Sequence, residues 1–213
     1  MSNEIQAIPK TELPTIPAQT TYSQTGDKNT QIANANNVNI NIILPGAPQA
    51  NKSHLLNSGY SLSNEYYNLF VIGNESYEGN VGHFIVDAKR ALTKSEGIAP
   101  EITAKFAHLD FEAIEQIKTF PTLFMSENHQ YGRTDDEHEA YFGLVTDVKV
   151  QENGIKVHFQ KISSVPQQKL NEIASNLAIK GSSSLNELNR THWAIKRIDL
   201  LHELSAAGLK VFG

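Results

Sequence analysis

The sequence predicts an α+β protein: a small, strongly bent antiparallel sheet or partly open barrel with flanking helices, preceded by an extended N-terminal segment. Three observations carry this expectation. Short period-two runs of apolar residues recur after residue 60, an Asn-Gly pair joins two of them, and helix-period stretches with capping residues fall in between.

The chain divides near residue 60. Residues 1–60 carry Pro9, Pro14, Pro17, Pro45 and Pro48 among many Gln, Thr and Asn, with almost no aromatic residue. Such a segment buries too little apolar surface to offset its ordering entropy, which predicts an extended, flexible stretch. One part differs. In GDKNTQIANANNVNINIILPG, Val38, Ile40 and Ile42 share one parity and Asn37, Asn39 and Asn41 the other, a strand pattern over 30–44. Asparagine is poor in strands, but its amides stack well on copies of themselves. Val38, Ile40 and Ile42 are therefore candidate assembly residues, through which the chain would form a homo-oligomer or dock a protein partner. The same pattern fits an extra edge strand on the chain's own domain. The stretch from Gly26 to Gly46 resembles Asn-rich segments that precede domains in bacterial conflict and antiphage proteins. The resemblance implies a bacterial or phage-related system and carries no site residue across.

Residues 61–213 read as a single α+β domain. Glu65 to Gly73 (EYYNLFVIG) is rich in aromatic and β-branched residues and predicts a strand closed by Gly73-Asn74. His83 to Val86 reads as a strand and Asp87 to Leu92 as one helical turn. Asp110 caps a helix with Phe111, Ile114 and Ile117 on one face, ended by Pro121. Pro121 to Met125 is a short apolar strand. Ala140 to Val150 alternates, with Phe142, Leu144, Thr146, Val148 and Val150 on one face. Asn153-Gly154 turns the chain, and Ile155, Val157 and Phe159 return along the partner strand. Pro166 opens a helix lined by Leu170, Ile173 and Leu177, broken at 181–184. Thr191 to Ile198 is a last strand, and Asp199 caps a last helix through Leu204 to Gly208.

Chemistry-bearing side chains concentrate in the loop Glu127 to Glu139 (ENHQYGRTDDEHE). Glu127, His129, Asp136 and His138 are ligand types that suit a transition metal, so a metal-dependent hydrolase or nuclease is one reading. The spacing of His129 and His138 is not that of a helix-borne metal pair. The same charges also suit a solvated loop that keeps the sheet edge from pairing. Tyr131 and Arg133 flank Gly132, and an aromatic beside a guanidinium can grip a planar or anionic ligand. Arg190, His192 and Trp193 form a second candidate ligand or partner site, with the indole stacking on the ligand; alternatively Trp193 closes the core. His83 and Asp87 could exchange a proton, although an exposed histidine explains them equally.

Several classes are excluded. The chain has no cysteine, which removes disulfides, thiolate metal sites and cysteine nucleophiles. A net charge of −5 with scattered basic residues argues against nucleic acid as a partner. No glycine-rich phosphate loop and no Gly-x-Ser-x-Gly elbow is present, and Ser182 to Ser184 lack an adjacent base. MSNEIQAIPK shows no signal peptide, and no window approaches the roughly 20 apolar residues of a membrane helix. The expectation is a cytoplasmic, non-catalytic binding and assembly module with no cofactor, no membrane partner and no assigned catalytic residue.

Overall fold

The computed structural model describes residues 61–93, 98–181 and 185–212. The proposed assembly strand with Val38, Ile40 and Ile42, the resemblance from Gly26 to Gly46, and Ser182 to Ser184 lie outside the described residues.

Strands β1 (Tyr67–Val71), β2 (Val81–Val86), β3 (Pro121–Met125), β4 (Glu139–Gln151), β5 (Gly154–Pro166) and β6 (His192–Lys196) form one open sheet in the order β2-β5-β4-β3-β1-β6. Among the described residues four α-helices accompany it: α1 (Pro100–Phe106), α2 (Phe111–Lys118), α3 (Gln167–Glu172) and α4 (Leu200–Ala206). The α+β class holds. The sheet, however, is mixed rather than antiparallel, because β1 and β3 run parallel, Leu69 beside Leu123 and Phe70 beside Phe124. A parallel pair needs a long crossover, and here β2, α1 and α2 supply it.

Burial explains the strand order. All five residues of each of β1, β3 and β6 are buried, so both faces of the sheet are covered there. Edge strand β2 instead alternates, with Phe84 and Val86 inward and Val81, His83 and Ile85 outward. The core is aromatic at its centre. The Phe70 ring stacks on Trp193 at 4.9 Å and on Phe124 at 5.6 Å. The Trp193 indole N–H donates to Asn68 Oδ1 (3.4 Å), and Asn68 Nδ2 donates to Thr122 Oγ1 (3.1 Å), so the buried amide and indole satisfy each other.

The local signals place most elements, with specific departures. Asp110 caps α2 by accepting from the Ala113 N–H (2.9 Å), and Asp199 caps α4 by accepting from His202 N–H (3.1 Å). Ile117 is fully buried, but Phe111 is 81% exposed and does not share that face. The β4–β5 hairpin forms one residue earlier than the Asn-Gly rule suggests. Gln151 pairs with Gly154, so Glu152 and Asn153 make the turn and Gly154 begins the return strand at φ +131°. Strict alternation also fails in β4. Register shifts at Phe142/Gly143 and Val145/Asp147 rotate the strand, burying Val145 while Leu144 is half-buried and Val150 is 65% exposed. Pro166 ends β5 and stands just before α3, which stops at Glu172; Leu177 is buried from the irregular turns that follow. Helix α1 was not signalled by the sequence pattern. Its short PEITAKF run buries only Ile102 and Phe106.

Candidate functional site

The parallel pair brings the carboxyl ends of β1 and β3 side by side, next to the start of β6, where Val71 pairs with His192. Loops leaving adjacent parallel strands diverge, and in open sheets the crevice between them is where ligands bind. Here the crevice is a cleft of about 540 Å³ lined by Gly73 to Ser76, Ser126 to His129, and Thr191. Of its two carboxylates, Glu75 and Glu127, the second is held in place by a relay. Gly73 N–H donates to Thr191 Oγ1 (2.7 Å), and that hydroxyl donates to Glu127 Oε1 (2.6 Å). A Cβ on residue 73 would come within 2.9 Å of Thr191 Oγ1 and 3.1 Å of Glu127 Oε1, so a side chain there would crowd this relay. The second Glu127 oxygen makes no hydrogen bond among the described residues.

The loop from Ser126 to His138 lacks regular structure, yet amide side chains fix its shape. Asn128 and Asn171 exchange hydrogen bonds, Nδ2 to Oδ1 at 3.0 Å in each direction, and Asn186 Nδ2 donates to Asn171 Oδ1 (2.9 Å). Fully buried Gln167 donates through Nε2 to Ser126 O (3.1 Å) and Asn128 Oδ1 (2.9 Å), while its backbone N–H donates to His138 O (2.8 Å). Farther out, Asn189 holds the loop tip from both sides. Its Oδ1 accepts from Gly132 N–H (2.8 Å) and its Nδ2 donates to Gln130 O (2.6 Å). The Thr134 N–H donates to Gln168 Oε1 (3.0 Å). Asn189 belongs to a 3-10 turn, Glu187–Asn189, anchored by the ion pair of Glu187 with Lys196 on β6, both nearly fully buried at 2.5 Å. Burial pushes the Lys196 ammonium below the usual lysine range, and Glu187 partly restores it.

The candidate residues separate into two groups. Tyr131 is 78% exposed at the pinned tip, and neighbouring Arg133 is exposed with its Nε donating to Gln130 Oε1 (2.8 Å). Arg133 and Gly132 also border a second cleft of about 450 Å³, shared with Gln168, Asn171, Glu172 and Ser175. Arg190 is exposed, whereas His192 and Trp193 are fully buried. Trp193 stacks in the aromatic core, and His192 Nδ1 bonds Arg190 O at 2.9 Å. His192 and Trp193 are therefore enclosed within the sheet and its covering, while Arg190 reaches solvent.

The loop's imidazoles do meet. The His129 and His138 rings lie edge to face with centroids 4.1 Å apart. Nδ1 of His129 bonds Asp135 Oδ2 at 2.6 Å, an exposed pair that solvent screens. Asp136 is exposed and not part of this contact. Among the described residues no three His, Asp or Glu side chains converge as a metal would require. His138 has another partner: its Nε2 lies 2.8 Å from Ser126 Oγ. Burial first, and the neighbouring His129 second, lower the His138 pKa below its usual range. This favours the neutral ring, and in the tautomer that carries its proton on Nδ1 the Nε2 atom accepts from the serine hydroxyl.

No protein family, curated protein or solved structure matches this chain. The chemistry must be read from the geometry. Among the described residues, no helix is long and apolar enough to cross a membrane.

The sequence pattern singled out Glu127, Tyr131, Arg133 and the two histidines but missed Ser126, Gln167 and the asparagines. Ser126 directly follows the apolar run of β3, so its position at the end of that strand was visible in retrospect. Its pairing with His138 depends on where β4 returns, which no local signal specifies.

Proposed function

We propose that the folded domain is a recognition module whose loop tip, Tyr131-Gly132-Arg133, engages a planar or anionic group on a protein partner or small ligand. One observation carries this reading: Asn189 grips the tip through both ends of its amide while the aromatic and guanidinium side chains beside it stay exposed. A rigid backbone presenting Tyr and Arg loses little entropy on binding, and a guanidinium pairs with a carboxylate in two parallel hydrogen bonds. The second cleft, bordered by Arg133, gives such a partner a concave surface to enter.

In this reading the N-terminal strand with Val38, Ile40 and Ile42 supplies assembly, joining copies or docking a partner. The resemblance of residues 26–46 favours an accessory role in a bacterial defence system.

Two measurements test the two halves. Titrating labelled protein with aromatic carboxylates should shift the amide signals of Gln130 to Thr134, and Arg133→Ala should abolish the shifts; shifts elsewhere only would refute the loop reading. In light scattering coupled to size exclusion, Ile40→Asp should lower the oligomeric mass without changing the melting of the core. A monomeric wild type would remove assembly between copies.

A further inference from the structure

We propose that Ser126 and His138 form a nucleophile–base pair that transfers acyl groups from carboxylic esters bound in the cleft between Gly73–Ser76 and Ser126–His129. The inference is independent of the recognition loop, since it uses neither Tyr131 nor Arg133.

The geometry meets the first requirement of such a pair. Ser126 Oγ and His138 Nε2 are 2.8 Å apart, within reach for direct proton transfer. Ser126 lines the cleft, and His138 Nε2 lies beside its hydroxyl. Both partners are positioned by one buried residue. Gln167 holds Ser126 through its side-chain amide and His138 through its backbone N–H, which fixes the two backbones against each other. The ring of His138 is further oriented by its edge-to-face contact with His129, itself bonded to Asp135.

Two carboxylates line the same cleft and set the substrate class. Glu75 accepts from the Tyr77 N–H, and Glu127 is locked by Thr191 through one oxygen, leaving the other without a protein partner among the described residues. Together they would favour esters that carry an ammonium or another hydrogen-bond donor and disfavour anionic ones.

In the reaction, Ser126 Oγ attacks the ester carbonyl carbon while its proton passes to His138 Nε2. The bond from that carbon to the alcohol oxygen breaks, and Nε2 returns the proton to the departing alkoxide, leaving an acyl ester on Ser126. Water, deprotonated by the same nitrogen, then attacks the acyl carbon. The bond from that carbon to Ser126 Oγ breaks, Nε2 returns its proton to Oγ, and the carboxylic acid leaves with the serine hydroxyl restored.

The test uses the full chain with a fluorophosphonate probe, followed by intact mass and peptide mapping. A single adduct on Ser126 is expected, absent in Ser126→Ala, whose melting temperature should match that of the wild type. His138→Gln and His138→Asn should each slow labelling by about 100-fold or more, the usual contribution of a general base. Hydrolysis of p-nitrophenyl acetate should be lost in the same variants. An amino-acid p-nitrophenyl ester should be preferred over it, and Glu127→Gln should weaken that preference. No adduct on Ser126, equal labelling of several serines, or unchanged labelling in a folded His138 variant would overturn the proposal.

Discussion

Replacing Lys196 with methionine tests how the loop's anchor is held. The Lys196 ammonium donates to both Glu187 oxygens, at 2.8 and 2.5 Å, with the two side chains only 4% and 3% exposed. Methionine keeps most of the aliphatic stem, so the packing loss stays below about 1.5 kcal/mol. The larger effect is a carboxylate left buried without its cation, for which about 3–5 kcal/mol is typical. The expected loss is therefore about 3–5 kcal/mol from the charge, a fall in melting temperature of roughly 10 °C for a domain of this size. Urea unfolding at pH 7 provides the assay. Adding Glu187→Leu should recover most of the loss, since removing both charges of a buried pair is close to neutral. A single variant within about 1 kcal/mol of wild type at pH 7, or a double variant as unstable as the single, would refute the reasoning.

Three further outcomes follow from the same structure. Gly154→Ala should cost about 2 kcal/mol or more by thermal unfolding, since φ +131° strains an L-residue and its Cβ would lie 2.6 Å from Val86 O; an unchanged melting temperature would contradict the hairpin register. Gln167→Leu should cost about 1–3 kcal/mol by removing the side-chain donor to Ser126 O and leaving Asn128 Oδ1 with Asn171 alone. Hydrogen exchange should then rise specifically across 126–138, whereas uniform acceleration would show that Gln167 supports the whole fold instead. Burial lowers the pKa values of both His138 and His158 below 6.5, so the unfolded chain binds more protons than the folded one just below that pH. Stability should fall as pH drops below 6.5 and level off beneath the folded-state values; His138→Gln should flatten part of this slope in pH-dependent urea titrations, and an identical slope would assign the effect elsewhere.

Local chemistry made much of the fold legible. Asp110 and Asp199 announced their helices because a capping carboxylate acts within one turn. The hairpin was legible from Asn153-Gly154, although the turn itself is set by cross-strand register, which put Gly154 into β5. Period-two reading failed along β4, because two bulges reverse which residues face inward. The parallel pairing of β1 with β3 was hidden, since it is decided by the crossover and not by either strand. The same holds for the site. Tyr131 and Arg133 stood out by composition, but the Ser126–His138 bond and the Asn189 clamp join residues that only tertiary structure brings together.

The cleft draws its walls from opposite ends of the folded chain. Gly73 follows the first strand and Thr191 precedes the last, while the β4–β5 hairpin closes between near neighbours in sequence. Contacts between distant residues are the slow ones to form. The hairpin can therefore assemble early, whereas Glu127 acquires its fixed orientation only when β6 docks beside β1 and brings Thr191 to Gly73. A chain that has folded everything except its last strand already owns Ser126 and His138, but its Glu127 lacks the hydroxyl that fixes it. Completion of the sheet and orientation of the Glu127 carboxylate are one event.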